Sequence, residues 1–357
     1  MHQDYRSSRF SLVVTCVSCA VLSACGDSAT STEADCAILL NPVVTIGPNS
    51  GPVGPTTASE VAFSKGLYFV SATFNRGEIS VFDSKGDYLR SIGKEGRGPG
   101  ENMEATKLAI LGDTVFVYDG FSQRIQAYHV NGDYLRFVTN LGGYTPFATR
   151  QGGGLIVLTD AGTAGPATIR VMGGDNEPTF KFSNESTSTI EEKTGAMIAD
   201  AGGQSVWIAF RQRYALEQYS YSGKRLNRIA VDDQPWFQRG QYFKEHVEEF
   251  DSIARIASLE VDDNGRVMPL ILVNRRPRRE AGGELREVAN PNAHKTVIQV
   301  IEPTGRLVAE HVQPESRIVG FADHRHVYTR DELEDGTPVV HVFRMHVVKP
   351  NTQEVCQ

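Results

Sequence analysis

Residues 79–93 read ISVFDSKGDYLRSIG, and residues 125–138 read IQAYHVNGDYLRFV. In both stretches apolar residues alternate with polar ones, a turn containing glycine follows, and a second alternating run completes the pattern. This arrangement predicts two antiparallel strands joined by a tight turn, which is a β-hairpin. The two turn glycines, Gly86 and Gly132, lie 46 residues apart. The hairpin is therefore part of a repeat, and the length of that repeat decides the fold.

Further copies of the hairpin occur along the chain. Residues 216–230 (LEQYSYSGKRLNRIA) and 298–312 (IQVIEPTGRLVAEHV) repeat it clearly, and a weaker copy surrounds Gly173. Two more short apolar runs precede each hairpin, as residues 107–119 (KLAILGDTVFVYD) show. Four strands in roughly 40–45 residues are the signature of one β-propeller blade. The sequence therefore predicts an all-β, six-bladed β-propeller with four-stranded blades over residues 41–350.

The last repeat ends before a fourth strand, and the start of the chain offers the missing one. Residues 43–54 (VVTIGPNSGPVG) match residues 89–100 (LRSIGKEGRGPG), with Gly47 aligned to Gly93 one repeat later. We therefore expect an N-terminal strand to complete the last blade. Closing the ring in this way removes exposed sheet edges.

The glycine-rich stretch SIGKEGRGPGEN, residues 91–102, has two possible interpretations. A phosphate-binding loop would need the G-x-x-x-x-G-K-[ST] spacing and a following helix whose first amides point at the phosphate. The spacing is absent, and strands are predicted after the loop. We interpret the stretch as a connection between blades, in which glycine allows positive φ angles.

The N-terminus has the features of a bacterial export signal. Arg6 and Arg9 precede an apolar run over residues 10–22, which is shorter than the roughly 20 residues of a membrane span. Residues 22–25 (LSAC) resemble the lipobox of bacterial lipoproteins, so Cys25 is expected to be acylated and to anchor the protein in a bilayer. An ordinary signal peptide with an unrelated cysteine is the alternative.

These features predict a domain organisation and a cellular location. Residues 1–24 form the signal peptide, residues 25–40 a flexible tether, and residues 351–357 a C-terminal tail. The expected location is the cell envelope of a bacterium, on the periplasmic face or on the outer membrane. The net charge of −7 provides no basic field for nucleic acid, and no nucleic-acid motif is present.

The chain contains five cysteines, of which Cys36 and Cys356 remain after export and acylation of Cys25. An oxidising compartment favours a disulfide between them, and strand closure would bring the two chain ends together. Two free thiols on frayed ends are the alternative.

Two stretches carry a resemblance to a known family. Residues 92–101 (IGKEGRGPGE) and 115–128 (VFVYDGFSQRIQAY) resemble the six-bladed, NHL-like β-propeller lipoproteins of bacteria, over roughly residues 41–348. The resemblance implies a fold rather than one activity. It also implies that Asp119 and Arg124 form an ion pair that connects strands.

One segment departs from the strand pattern. Aromatic and aliphatic residues recur near helical spacing after Pro235, which predicts a helical insertion over about residues 234–257. The segment is interpreted as a lid on one face of the propeller, with a partner-binding or gating element as the alternative.

Propellers usually bind ligands at the mouth of the central channel, where the loops between second and third strands meet. Arginines recur in these predicted loops and could bind a carboxylate, a sulfate or an acidic glycan. Charged loops that simply face solvent are the alternative. The candidate ligand-binding residues are Arg76, Arg211, Arg213, Tyr214, Arg275, Arg276 and Arg330.

The sequence was also searched for metal-binding pairs and catalytic motifs. His324 and His326 lie two residues apart, which could suit a metal pair or a structural role, and Trp207 is predicted to be core. Catalytic motifs such as G-x-S-x-G and H-E-x-x-H are absent, so we assign no catalytic residue, metal or cofactor. The favoured function is a lipid-anchored module that binds an unknown protein or a small anionic or glycan ligand. The alternative is a metal-assisted lyase or lactonase that uses the channel.

Overall fold

Short strands, nearly all antiparallel, make up most of the residues that the computed structural model describes. It covers residues 34–47, 58–72, 77–141, 147–150, 153–159, 168–172, 180–181, 196–202, 205–210, 215–230, 252–275, 294–314, 318–350, 352 and 354–356. Within these segments, no helix is long and apolar enough to cross a membrane.

Six four-stranded blades follow one another along the chain. Blade one contains β2 (Ala58–Ser64), β3 (Leu67–Ala72), β4 (Ile79–Phe82) and β5 (Tyr88–Ile92), and blade two contains β6 (Ala105–Leu111), β7 (Thr114–Asp119), β8 (Arg124–His129) and β9 (Tyr134–Asn140). Blade three contains β10 (Phe147–Thr149), β11 (Leu155–Thr159), β12 (Thr168–Met172) and β13 (Phe180–Lys181), and blade four contains β14 (Ala196–Ala201), β15 (Ser205–Phe210), β16 (Ala215–Ser220) and β17 (Arg225–Ala230).

The remaining two blades share a sheet. Blade five contains β18 (Ser252–Val261), β19 (Val267–Arg275), β20 (His294–Ile301) and β21 (Leu307–Pro314). Blade six contains β22 (Ile318–Asp323), β23 (His326–Glu332), β24 (Pro338–Val348) and, as its outer strand, β1 (Cys36–Ile46). The predicted six-bladed β-propeller of four-stranded blades is therefore confirmed.

The N-terminal strand closes the ring, as the sequence predicted. β1 runs antiparallel to β24, with Ile46 opposite Val340 and Ile38 opposite Val347. Its first two residues also pair in parallel with β21 of blade five, which joins blades five and six into one eight-stranded sheet. The strand begins at Cys36, so the predicted tether is wrong over residues 36–40, which belong to the sheet.

A disulfide fastens this closure. Cys36 and Cys356 are bonded, with their Cα atoms 6.5 Å apart, which confirms the predicted pairing. The backbone amide of Cys356 donates a hydrogen bond to the carbonyl of Val347 at 2.9 Å, and Val355 forms a bridge with Val348. Part of the predicted C-terminal tail therefore packs against β24.

The predicted helical insertion is wrong where the structure describes it. Ser252–Ile256 belong to β18, and Ser252 pairs with Arg275 of β19. A bulge between Ile256 and Ser258 shifts the register, so that Ile256 and Leu259 are both buried although they are three positions apart. Residues 234–251 lie outside the described part of the chain.

The hydrophobic core lies between neighbouring blades. Trp207 of blade four, for example, packs in one cluster with Ile271 of blade five and is fully buried, which confirms its predicted core position. Similar clusters join blade five to six, six to one, one to two and two to three. This packing stacks the blades and leaves their first strands around a central channel.

Candidate functional site

The central channel contains a cavity of about 390 Å³. Residues of β2, β6, β10, β14, β18 and β22, the first strand of every blade, line it. Its apolar wall includes Phe63, Leu108 and Phe321. The charged or titratable side chains in the lining are Glu60, Lys107, Asp200, Glu260, Asp323 and His324. Four carboxyl groups thus face one lysine in this cavity.

Glu60 links two blades from inside the channel. Its carboxylate accepts a hydrogen bond from the backbone amide of Leu108 in β6 at 3.0 Å. Burial raises the pKa of this carboxyl, and the positive charge of Lys107 opposes the rise. Glu60 therefore both joins β2 to β6 and supplies a titratable carboxyl to the channel.

Glu260 is a second channel carboxyl whose pKa is raised. Burial raises its pKa to about 8, and the negative charges of Asp323 and Glu60 add to this effect. A hydrogen bond from the backbone of Val261 opposes the rise. Glu260 therefore keeps its proton at neutral pH, so its carboxyl can both donate and accept hydrogen bonds or act as a general acid.

The other two carboxylates are held by protein groups. Asp200 accepts a hydrogen bond from the Tyr221 hydroxyl, and the Arg150 guanidinium stacks 4.7 Å from the Tyr221 ring centre. Asp323 accepts hydrogen bonds from the backbone amide of Arg325 at 2.7 Å and from Nδ1 of His326 at 2.9 Å. Both lining carboxylates therefore have partners within the protein.

The two histidines with metal-like spacing have different partners. The His326 ring packs 4.6 Å from the ring centre of Phe63 and bonds Asp323, whereas His324 lies 3.3 Å from Asp263 in the β18–β19 turn. Within the described segments, no three His, Cys, Asp or Glu side chains are placed to share a metal ion. His326 therefore contacts blade one as well as its own blade.

The structure describes only two of the predicted ligand-binding residues. Arg330 is exposed in β23. It forms a side-chain hydrogen bond with Tyr328, and its positive charge opposes the rise in the pKa of Glu60 that burial causes. Arg275 ends β19, so both residues lie late in the second strand of adjacent blades. The acylation site Cys25 and the candidates Arg76, Arg211, Arg213, Tyr214 and Arg276 lie outside the described residues.

The glycine-rich loop connects β5 to β6, as predicted. Asn102 is fully buried at its end, and its amide nitrogen donates to the carbonyl of Gly77 at 3.0 Å. Its side-chain oxygen accepts from Gln126 at 2.9 Å. Within the loop, the Glu101 carboxylate accepts from the Gly98 amide at 2.8 Å and pairs with Lys94 at 3.1 Å. The loop is thus stabilised both by its own side chains and by Gln126 of β8.

Asp119 and Arg124 tie this loop to blade two, as the family resemblance implied. The buried Asp119 carboxylate lies 3.6 Å from Nε of Arg124 and accepts the backbone amides of Met103 and Glu104 at 3.0 Å. Arg124 in turn donates to the Glu101 carbonyl at 2.6 Å. The pair is therefore structural, and neither residue lines the channel cavity.

Sequence reasoning missed the channel carboxyl groups. Glu60, Glu260 and Asp323 each occur in the first strand of a blade, within runs such as SEVAFS and SLEV. A charged residue inside an otherwise apolar inner strand was the available signal, because burial of a lone charge is costly and needs a reason.

The comparisons with known proteins agree with this architecture. Residues 56–147 match a family model described as a 6-bladed beta-propeller. A structure of a DUF4221 family member from Bacteroides vulgatus has 11% identity and a TM-score of 0.52, covering 88% of this chain and 99% of that one. A protein from Bacteroides fragilis predicted to be exported has 11% identity and a TM-score of 0.54, covering 88% and 97%.

A third structure, virginiamycin B lyase from Staphylococcus aureus, has 11% identity and a TM-score of 0.48, covering 85% of this chain and 99% of that one. No curated protein sequence matches the chain. At these identities the structural likeness concerns the fold alone. Strand order, the family model and the two Bacteroides structures lead to one conclusion: this protein is a six-bladed β-propeller.

Proposed function

We propose that this protein is an exported, lipid-anchored binding module whose central channel takes a small ligand that carries positive charge. The observation that supports the ligand is the cavity of about 390 Å³, in which Glu60, Asp200, Glu260 and Asp323 outnumber Lys107. Clefts lined mainly by one sign of charge concentrate ligands of the opposite sign. The apolar wall supplies contact area, as in most small-molecule sites.

The protonation of the channel gives this proposal a specific signature. Burial raises the pKa of Glu60 and of Glu260, in the latter case to about 8. A bound cation stabilises the ionised carboxylate, so it lowers the pKa of Glu260 and displaces its proton. Binding near pH 7 should therefore release protons.

Calorimetric titration of the purified mature protein tests the proposal. Ca²⁺, Mg²⁺ and spermidine serve as probes, in two buffers with different ionisation enthalpies so that proton release can be measured. Glu260→Gln should weaken binding about tenfold and abolish most of the proton release. Glu334→Gln, an exposed carboxylate in the β23–β24 turn, is the matched control and should change neither quantity. Failure of all three probes to bind would contradict a cation-binding channel.

The anchor and the location rest on the sequence of residues 1–26. We expect Cys25→Ser to move the protein from the membrane fraction to the soluble periplasmic fraction, because it removes the acylated thiol. Cys19→Ser changes a cysteine of the predicted signal peptide and should leave the protein in membranes. An unchanged distribution of the Cys25→Ser variant would contradict the anchor.

Two sequence-based proposals remain beside this one. The loop arginines would favour an anionic or glycan ligand at the mouth of the channel, outside the acidic cavity. A lyase or lactonase is the second candidate function, and Glu260 is the observation that favours it, because a carboxyl that titrates near pH 8 can act as general acid. That activity should vanish in Glu260→Gln, whereas simple binding would only weaken.

A further inference from the structure

A second cavity, of about 260 Å³, lies between blades five and six beside the disulfide. The β18–β19 turn, the β22–β23 turn, the second half of β24 and the C-terminal residues around Cys356 form its walls, with Met268 in the lining. Its cationic or titratable basic residues are Arg266, His324, Arg325, Arg344 and His346. With the channel it shares only His324 among the described lining residues.

Arg266 places a buried guanidinium group in the wall of this cavity. Only 8% of the residue is exposed, and its Nε and backbone amide both donate to the Asp262 carboxylate, at 2.6 and 2.9 Å. Its Nη1 is buried and has no hydrogen-bond partner among the described residues. A buried donor of this kind costs free energy until something accepts from it.

The other cations add a net positive charge. Arg325 and His324 share Asp263, with His324 at 3.3 Å, so Asp262 and Asp263 are both already paired. The carbonyl of Arg325 accepts from the Met345 amide at 2.7 Å, which fixes the turn beside β24. Arg344 is exposed, and the described residues include no acidic partner for it.

The pKa of one further carboxylate, Glu302, is lowered chiefly by its hydrogen bond from Arg306, with which it is paired, and least by the charge of Arg266. The paired carboxylates thus hold the guanidinium groups of Arg266 and Arg325 in place but do not neutralise the positive charge of Arg344. This combination of fixed guanidinium groups, one unpartnered buried nitrogen and an open cavity is suited to an anion.

We propose that this cavity binds a phosphate or sulfate group, with Arg266 and Arg344 as its principal ligands. Guanidinium groups present paired donors that match the oxygens of such anions, and the bonds are charge-assisted. The volume leaves room for the molecule to which the group is attached. The proposal is independent of the channel, because it uses other residues and the opposite sign of charge.

Calorimetric titration with inorganic phosphate, sulfate and acetate, each at constant ionic strength, tests the site on the mature, disulfide-bonded protein. Phosphate or sulfate should bind more tightly than acetate. Arg344→Gln should weaken phosphate binding about tenfold, since it removes an exposed donor without touching the core. Arg136→Gln, an exposed arginine on β9, is the matched control and should have no effect.

Arg266→Met provides a second variant, and its circular dichroism shows whether the fold is intact before it is titrated. If it folds, it should lose phosphate binding. Unchanged phosphate affinity in Arg344→Gln, or tighter binding of acetate than of phosphate, would overturn the proposal. Glu260→Gln should retain phosphate binding, so that failure of this site and failure of the channel proposal can be told apart.

Discussion

Glu260 shows how the channel tunes a single carboxyl group. Its folded-state pKa of about 8 lies above its ordinary value of 4.5, so between these values the folded protein keeps a proton that the unfolded chain has lost. The unfolded state then binds fewer protons, and the free energy of unfolding falls as the pH rises through this window. The charged form is therefore the one that destabilises the fold.

From this we predict the effect of Glu260→Gln on stability. The variant should be more stable than the wild type by roughly 1–3 kcal/mol at about pH 8.5 and similar to it near pH 5. Thermal unfolding at several pH values measures the difference. Glu334→Gln should follow the wild-type curve, and parallel curves for the wild type and Glu260→Gln would show that Glu260 ionises normally.

Gly77 is a second residue whose role can be tested. It has φ of +68°, and a Cβ added there would lie 1.8 Å from the backbone oxygen of Asn102. Gly77→Ala should therefore cost at least ~3 kcal/mol, because the loop between blades must move. Gly112→Ala has a similar φ of +60° but meets no atom within 4 Å, so it should cost only ~1 kcal/mol. Urea denaturation that gives equal losses would contradict the close approach.

At the scale of elements, β1 has two different faces. Ile38 and Ile46 are buried, whereas Leu39 and Val43 are 40% and 44% exposed. Ile46 packs in the cluster between blades six and one, so β1 contributes to the core as well as to the sheet. The strand that closes the ring is thus selected by its side chains and not only by its backbone pairing.

We expect Ile46→Ala to reduce the free energy of unfolding by about 2–4 kcal/mol, through lost burial and the cavity that remains. Val43→Ala, three residues away on the exposed face, should cost less than ~1 kcal/mol. Chemical denaturation compares the two variants. A larger loss for Val43→Ala would mean that the register of β1 against β24 is wrong.

The strands that could be predicted from the sequence are those set by neighbouring residues in the chain. Hairpins such as the one around Gly132 follow from alternation and from a glycine with positive φ, here +109°. The helical prediction failed at its C-terminal end, where Ser252–Ile256 pair with β19 and a bulge follows between Ile256 and Ser258. A bulge depends on the neighbouring strand, which a single segment of sequence does not contain.

At the scale of the whole molecule, the repeat predicted the ring but not the chemistry inside it. Glu60, Glu260 and Asp323 come together only because three first strands, far apart in sequence, face one channel. The anion cavity likewise combines the turn at Arg266 with Arg344 of β24. The repeat shows which strand of each blade is innermost. Side-chain direction and strand register decide which charged side chains come together in a cavity.

The closure of the ring gives the last prediction. The disulfide joins residues 320 positions apart, and in the chain-entropy model such a link restricts the unfolded chain strongly. The double variant Cys36→Ser/Cys356→Ser should lose about 2–5 kcal/mol of stability, yet still fold, because β1 keeps its pairing with β24. Reductant should destabilise the wild type to the same level and leave the double variant unchanged, which controls for other effects of reduction.

Hydrogen exchange then shows where the closure acts. If the disulfide fastens one blade, amides of β1 and β24 should exchange faster in the double variant, while those of β8 in blade two should change only with global unfolding. The core clusters between other blades contain neither cysteine and remain intact, so their local openings have no reason to accelerate. Equal acceleration in all blades below the global unfolding limit would contradict a local fastening. It would mean that the ring opens as one cooperative unit whose stability the chain ends control.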